Sequence, residues 1–148
     1  MIGLLQRVSS ASVVVAGARI AAIESGLLVL IGVEREDDRE RADRLLERLL
    51  NYRVFADSEG RMNLSLRDAG GGLLLVPQFT LPADTRKGNR PGFSTAAAPD
   101  LGEALFGYLV GRARALHEPV ACGRFGAEMQ VSLVNEGPVT FWLQVPHR

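Results

Sequence analysis

Met129-Gln130-Val131-Ser132-Leu133-Val134-Asn135-Glu136-Gly137-Pro138-Val139-Thr140-Phe141-Trp142-Leu143-Gln144-Val145 places two alternating runs on either side of a Gly-Pro pair near the end of the chain. Before the pair, Met129, Val131 and Leu133 alternate with Gln130 and Ser132; after it, Val139, Phe141, Leu143 and Val145 alternate with Thr140, Trp142 and Gln144. A period of two sends successive side chains to opposite faces of a pleated strand, so the segment reads as strand, turn, strand. Proline has no N–H to give a central ladder, and Gly137-Pro138 must therefore lie where the sheet ends or protrudes. An X-Pro bond is also the one peptide at which the cis isomer costs little. Taken alone, the segment predicts an exposed hairpin tip.

Working outward, strands are predicted over 2–9, 13–15, 19–24 and 26–33, with turns at Ala16-Gly17-Ala18 and Ser25-Gly26. Acidic residues from Glu34 to Asp38 then precede a helix whose Ala42, Leu45, Leu46, Leu49 and Leu50 fall on one face. Its charges alternate in sign, the pattern of a solvated face. A short strand over 52–55 and a turn at Asp57-Ser58-Glu59-Gly60 lead to Met62-Asn63-Leu64. Gly70-Gly71-Gly72 feeds the run Leu73-Leu74-Leu75-Val76-Pro77-Gln78-Phe79-Thr80-Leu81, which reads by its apolar continuity as a buried strand ending in a short polar element. The glycines lack the spacing and following helix of a nucleotide-binding loop. A loop over 82–99, long enough to be functional, opens into a second helix with Pro99 in its first turn. Leu101, Ala104, Leu105, Tyr108, Leu109, Ala113 and Leu116 are predicted to face inward. Strands over 120–125, 129–134 and 139–145 finish the chain. Strands outnumber helices and short turns join many of them, which predicts an α/β (α+β-like) fold with two amphipathic helices on one face of a sheet core.

The 148 residues suit one domain, 1–148, with an apolar fraction of 47% that is ordinary for a globular chain. No apolar run reaches the roughly 20 residues of a membrane span, and Gln6, Arg7, Ser9 and Ser10 break up any signal-like head, so a cytoplasmic location is expected. Cys122 is the single cysteine, which rules out an internal disulfide. Formal net charge is zero, so any capture of nucleic acid has to rest on local charge. Familiar catalytic motifs are missing too: there is no Gly-x-Ser-x-Gly elbow and no clustered metal ligand set, and neither a metal nor a cofactor is expected. Of the two histidines, His117 sits where a helix ends and His147 lies one residue from the terminus.

Gln78-Phe79-Thr80-Leu81 and Asn135-Glu136-Gly137-Pro138-Val139-Thr140, in this order and at this separation, resemble the two motifs of the D-aminoacyl-tRNA deacylases. Gln6-Arg7-Val8, Gly123-Arg124-Phe125, the run from Met129 to Asn135 and the closing Phe141-Trp142-Leu143-Gln144-Val145 extend the resemblance over essentially the whole chain. One departure is visible: Pro77 stands where the family usually has serine, which removes a hydroxyl and a backbone donor. The resemblance implies a layered or barrel-like sheet core, a homodimer with active sites at the interface, aminoacyl-tRNA as partner and substrate, and catalysis that leans on the RNA. It also implies that the Gly137-Pro138 turn of one subunit enters the other's active site. There, backbone carbonyls of a cis Gly-Pro could fix the α-amino group and leave no room for an L side chain. Such a gate would admit glycine, making glycyl-tRNA(Ala) a second expected substrate.

For the chemistry, a Thr80 hydroxyl would need an adjacent base to act as nucleophile, and the local motif offers none. The other reading gives catalysis to the backbone N–H groups of Phe79 and Thr80 as oxyanion donors, with the ribose 2′-hydroxyl assisting. Gln78, Phe125, Met129 and Arg7 are expected beside the substrate, Phe125 as a wall near the terminal adenosine and Arg7 as a tether for the partner's turn. Arg86, Lys87 and Arg90, in the loop Thr85-Arg86-Lys87-Gly88-Asn89-Arg90-Pro91, are candidates for tRNA phosphates or else ordinary surface charges. A non-catalytic tRNA-binding or structural dimer on the same fold is the alternative that Pro77 leaves open.

Overall fold

In the computed structural model, which describes residues 1–146, the chain runs β1 (Ile2–Val15), β2 (Ala18–Ile23), β3 (Gly26–Gly32), α1 (Arg39–Asn51), β4 (Phe55–Ala56), β5 (Met62–Leu64), α2 (Leu66–Ala69), β6 (Gly72–Pro77), α3 (Pro99–Leu116), β7 (Val120–Cys122) and β8 (Gln130–Gln144). One sheet takes the order β2-β1-β3-β6-β7, and β8 joins it along β1. β1 is antiparallel to β2, β3 and β8, whereas β3, β6 and β7 run parallel to one another. The first half of β1 pairs with β3 and its second half with β2, while β8 follows both halves. Curling in this way, the sheet becomes barrel-like and buries apolar side chains on both faces. Leu27, Val29, Leu73 and Leu75 pack toward α1 and α3, and Leu28, Leu74 and Val76 fill the other side with Val8, Ala11 and Val13.

Local chemistry explains the elements. Asp38 caps α1 by accepting the Arg41 N–H, and every apolar position predicted for this helix is buried. The glycines serve packing: a Cβ on Gly26 would lie 2.0 Å from the Gly72 carbonyl oxygen, so β3 and β6 meet here only because residue 26 is glycine, and a Cβ on Gly72 would lie 2.9 Å from Ile23 Cγ2 of β2. Behind the sheet the Met1 ammonium is fully buried between Glu34 and Asp37, at 2.8 and 2.7 Å.

Several expectations are corrected. The strands predicted over 2–9 and 13–15 are one strand, because pairing with β8 carries across the polar residues between them. The strand predicted over 52–55 begins only at Phe55, since Tyr52 is the C-cap of α1. A third helix, α2, stands on a capping box between Ser65 and Asp68. In α3 the inward face is rotated: Gly102, Phe106 and Val110 are buried, while Ala104 and Leu116 are exposed. β7 stops at Cys122 rather than Phe125, and His147 lies outside the described residues.

The largest correction concerns the Gly-Pro segment. It is no hairpin tip, because the runs on either side of it belong to one strand, β8, and both pair with β1. Register passes from Gln6↔Thr140 to Val8↔Asn135, so residues 136–139 stand opposite Arg7 alone and are pushed out as a bulge. The protrusion expected of Gly137-Pro138 is present, in a different topology.

Candidate active site

Three parallel strands bring their carboxyl ends to one edge of the sheet, the usual place for a ligand crevice in an α/β fold. A cavity of about 530 Å³ lies there. Ile31 and Val33 border it from the end of β3, Pro77, Gln78 and Phe79 from the end of β6, and Phe125 to Met129 from the segment after β7. Its far wall is Ala96, Ala97, Gly102 and Phe106. Sequence reasoning missed this wall; small residues across an Ala-Ala-Ala run and one turn into a helix were the available signal. Gly102 is needed for it, since a Cβ there would come within 3.1 Å of the Phe125 ring.

At the rim, the chain leaves the sheet after Pro77, short of the strand predicted through Leu81, because the Leu81 N–H turns back to Gln78 O. Gln78 N–H still donates to Ile31 O at 2.8 Å and Leu81 N–H donates to Gln78 O at 3.2 Å. Between them, the N–H groups of Phe79 and Thr80 have no acceptor among the described residues. Both residues are exposed, Phe79 lines the cavity and Thr80 follows it, so the two adjacent donors face solvent beside the cavity and are available to a ligand. The Phe79 ring, 67% exposed, leans on Phe93 with centroids 5.8 Å apart. The Thr80 hydroxyl accepts a hydrogen bond from the Gln78 side chain, and no base accepts its proton among the described residues. Pro77 interrupts less than expected. β7 gives its last bond from Gly123 N–H to Leu75 O, and the donor that Pro77 lacks would have continued only that ladder.

Not every predicted residue gathers here. Gln78, Phe79, Phe125 and Met129 meet at the cavity, whereas Arg7, Gly137 and Pro138 lie together at the β1–β8 bulge. Arg7 is committed to its own chain, donating from Nε to Glu136 O at 3.1 Å and from Nη1 to Val54 O at 2.8 Å. The Gly137-Pro138 peptide is cis. Gly137 has φ +137°, and a Cβ there would lie 2.6 Å from Val139 Cγ2.

Arg86, Lys87 and Arg90 line a separate cavity of about 520 Å³ together with Asp84, Gly92 and Ser94. Paired main-chain bonds between Asp84 and Gly92, 2.7 and 2.9 Å, close the loop that carries them. Arg86 is not a free cation: its Nε and Nη2 bind both oxygens of Asp84, at 2.9 and 2.8 Å. The Arg86 side chain and N–H hold the Asp84 carboxyl down at about 2, below its ordinary 3.8. A depressed carboxyl stabilises the fold above its ordinary value and loses that contribution as pH falls through about 2, so the pair persists throughout the neutral range. Lys87 and Arg90 have no ion-pair partner among the described residues.

His117 caps the C-terminus of α3, and its ring Nε2 lies 2.7 Å from Gly71 O; Cys122 is half-buried and free. Among the described residues no helix is long and apolar enough to cross a membrane.

An apolar crevice outside the carboxyl ends of parallel strands, with unengaged main-chain donors at its mouth, is the layout of an α/β enzyme site. The chain belongs to the D-Tyr-tRNA(Tyr) deacylase family, whose model matches residues 4–144. It is 68% identical over 144 residues to the D-aminoacyl-tRNA deacylase of Stutzerimonas stutzeri, covering 97% of this chain and 99% of that one. To the D-aminoacyl-tRNA deacylase of Pseudomonas putida it is 67% identical over 145 residues, 98% and 100% of the two chains. Among solved structures it is similar to a c-Myc DNA unwinding element binding protein, with TM-score 0.95, 37% identity and 99% and 100% coverage. The fold is also that of a probable eukaryotic D-amino acid tRNA deacylase, with TM-score 0.83, 20% identity and 97% and 98% coverage.

Proposed function

We propose that this chain, as a single domain of residues 1–148, hydrolyses the ester of D-aminoacyl-tRNA to free tRNA and a D-amino acid in the cytoplasm. The observation that carries this reading is the adjacent pair of N–H groups at Phe79, which lines the cavity, and Thr80, the next residue, neither with an acceptor among the described residues. An ester carbonyl placed against them gains negative charge as water attacks, and each donor is typically worth about 2.7–4 kcal/mol at that point. The neighbouring ribose 2′-hydroxyl orients the water, and the ribose 3′-oxygen leaves. Phe125 and Met129 hold the terminal adenosine against the cavity wall, and Gln78 fixes the Thr80 side chain rather than activating it.

Discrimination belongs to a second subunit. In a homodimer, the protruding Gly137-Pro138 bulge of one chain reaches the partner's cavity and presents backbone carbonyls to the substrate α-amino group, excluding an L side chain. Glycine passes such a gate, so glycyl-tRNA(Ala) is a further substrate. The reading is tested by incubating tRNA charged with labelled D-tyrosine or L-tyrosine: D-tyrosine alone is expected to be released. Absence of release from both would favour a non-catalytic binding protein. Against that alternative, Pro77 leaves the Gln78 bond to Ile31 intact and does not touch the two free donors.

Lys87 and Arg90 hold phosphates of the acceptor end, with Arg86 already spent on Asp84. Lys87→Ala and Arg90→Ala are each expected to reduce the slope of log affinity against log salt by about 0.7–0.9, the signature of one lost phosphate contact. Arg86→Ala is expected to change the slope less. Fluorescence titration of charged tRNA at several salt concentrations checks all three, and equal slopes throughout would remove the loop from the interface.

A further inference from the structure

The bulge at 136–139 needs something to hold its shape, because it has left the ladder that supports the rest of β8. One side chain closes its neck. Asn135 Oδ1 accepts the Val139 N–H at 3.0 Å, and Asn135 Nδ2 donates to Thr140 Oγ1 at 2.8 Å. Gln6 Nε2 also donates to Thr140 Oγ1, at 3.5 Å, from the strand across the bulge. On the outer side, Arg7 Nε draws on Glu136 O at 3.1 Å. Gly137 and Pro138 therefore stand between Arg7, which holds Glu136 before them, and Asn135, which holds both Val139 and Thr140 after them, with Gln6 adding a longer contact to Thr140 alone.

We infer that Asn135 is a positioning residue for D/L discrimination: its amide spans the neck of the bulge and fixes where the Gly137-Pro138 carbonyls point. The inference rests on the proposal that Gly137-Pro138 is the discriminating element. A clamp of this kind acts through its geometry and touches neither the ester nor the water. Removing it lets the bulge relax, so the L substrate gains access while the D substrate loses its fit. A carboxylate at the same position still accepts the Val139 N–H and can accept from the Thr140 hydroxyl, so Asp should replace Asn.

The experiment measures kcat/KM for D-tyrosyl-tRNA and L-tyrosyl-tRNA in the parent, Asn135→Ala, Asn135→Asp and Gly137→Ala, with thermal unfolding of each. Asn135→Ala is expected to lower the D:L ratio by about tenfold, the scale of one hydrogen bond, at parent-like Tm, and Asn135→Asp to restore most of it. A ratio unchanged in Asn135→Ala but altered in Gly137→Ala overturns the role of Asn135 and leaves the gate standing. A ratio unchanged in both overturns the gate itself. Should Asn135→Ala not fold, Thr140→Val removes only the hydroxyl end of the clamp; it is expected to shift the ratio in the same direction by less, and no shift overturns the inference.

Discussion

Replacing the Thr80 amide by an ester, through the α-hydroxy counterpart of threonine at that position, is expected to lower turnover of D-tyrosyl-tRNA by about 100- to 1,000-fold. The change deletes a single N–H and keeps the side chain. Because that N–H has no acceptor among the described residues, the fold gives up no bond, and the loss is chemical. Thr80→Ala is the complementary change: it removes the hydroxyl that accepts from Gln78 and leaves the backbone donor in place. Turnover is expected to stay within about tenfold of the parent, against the roughly million-fold loss that removing a nucleophile can bring. Single-turnover release of labelled D-tyrosine reads both. A parent-like rate in the ester variant would end the oxyanion assignment, and an inactive Thr80→Ala that still binds tRNA would restore the hydroxyl to the mechanism.

Asp37→Ala is expected to destabilise the fold by about 1–3 kcal/mol, the usual cost of leaving buried donors without their acceptor. The Asp37 carboxylate and the Met1 ammonium are both fully enclosed, and the second carboxylate oxygen accepts the Glu34 N–H at 2.7 Å. Without it the ammonium keeps the Glu34 carboxylate as its counter-charge at 2.8 Å and the carbonyl of Val145 at 3.3 Å, so the loss is of hydrogen bonds at the ammonium and at the Glu34 N–H and not of all charge compensation. For a chain of this size such a loss lowers Tm by about 3–10 °C. Asp37→Asn, which keeps the hydrogen bond from Glu34, should cost less. Denaturant unfolding at unchanged m-value checks both, and an Ala variant within about 1 kcal/mol of the parent would show that the pair adds no net stability. The effect should also reach the cavity, because Glu34 bridges to Ala96 and Val33 O accepts from Ala97.

Legibility in the sequence varied with how local the deciding interaction was. In α1 the stripe from Ala42 to Leu50 is narrow and its opposite face charged, so the buried set could be read directly. α3 is apolar around much of its circumference, so periodicity found Leu105, Leu109 and Ala113 but left out Gly102, Phe106 and Val110 and included the exposed Ala104 and Leu116. α2 was passed over although Ser65 and Asp68 carry its capping box, because a single turn has no periodicity to detect. At the candidate site, Gln78, Phe79, Phe125 and Met129 were named from motifs and do share a cavity. Its alanine and glycine wall went unseen, since small residues carry no chemistry of their own.

By itself, the sequence determined the alternation of the strands, the buried face of the helix after Asp38, the shortage of conventional catalytic groups and the need for Gly137-Pro138 to leave the ladder. Each follows from a residue and its near neighbours. Tertiary structure alone decided that both halves of β8 pair with β1, which turned a supposed hairpin tip into a clamped bulge. It alone showed that the donors at Phe79 and Thr80 have no acceptor among the described residues, that Arg86 is spent on Asp84, and that Met1 meets Asp37 across the fold. The physical reason is common to all of these. Alternation fixes which face a side chain takes but not which strand lies alongside, and a polar group is free or engaged only in relation to partners that the chain brings up from far away.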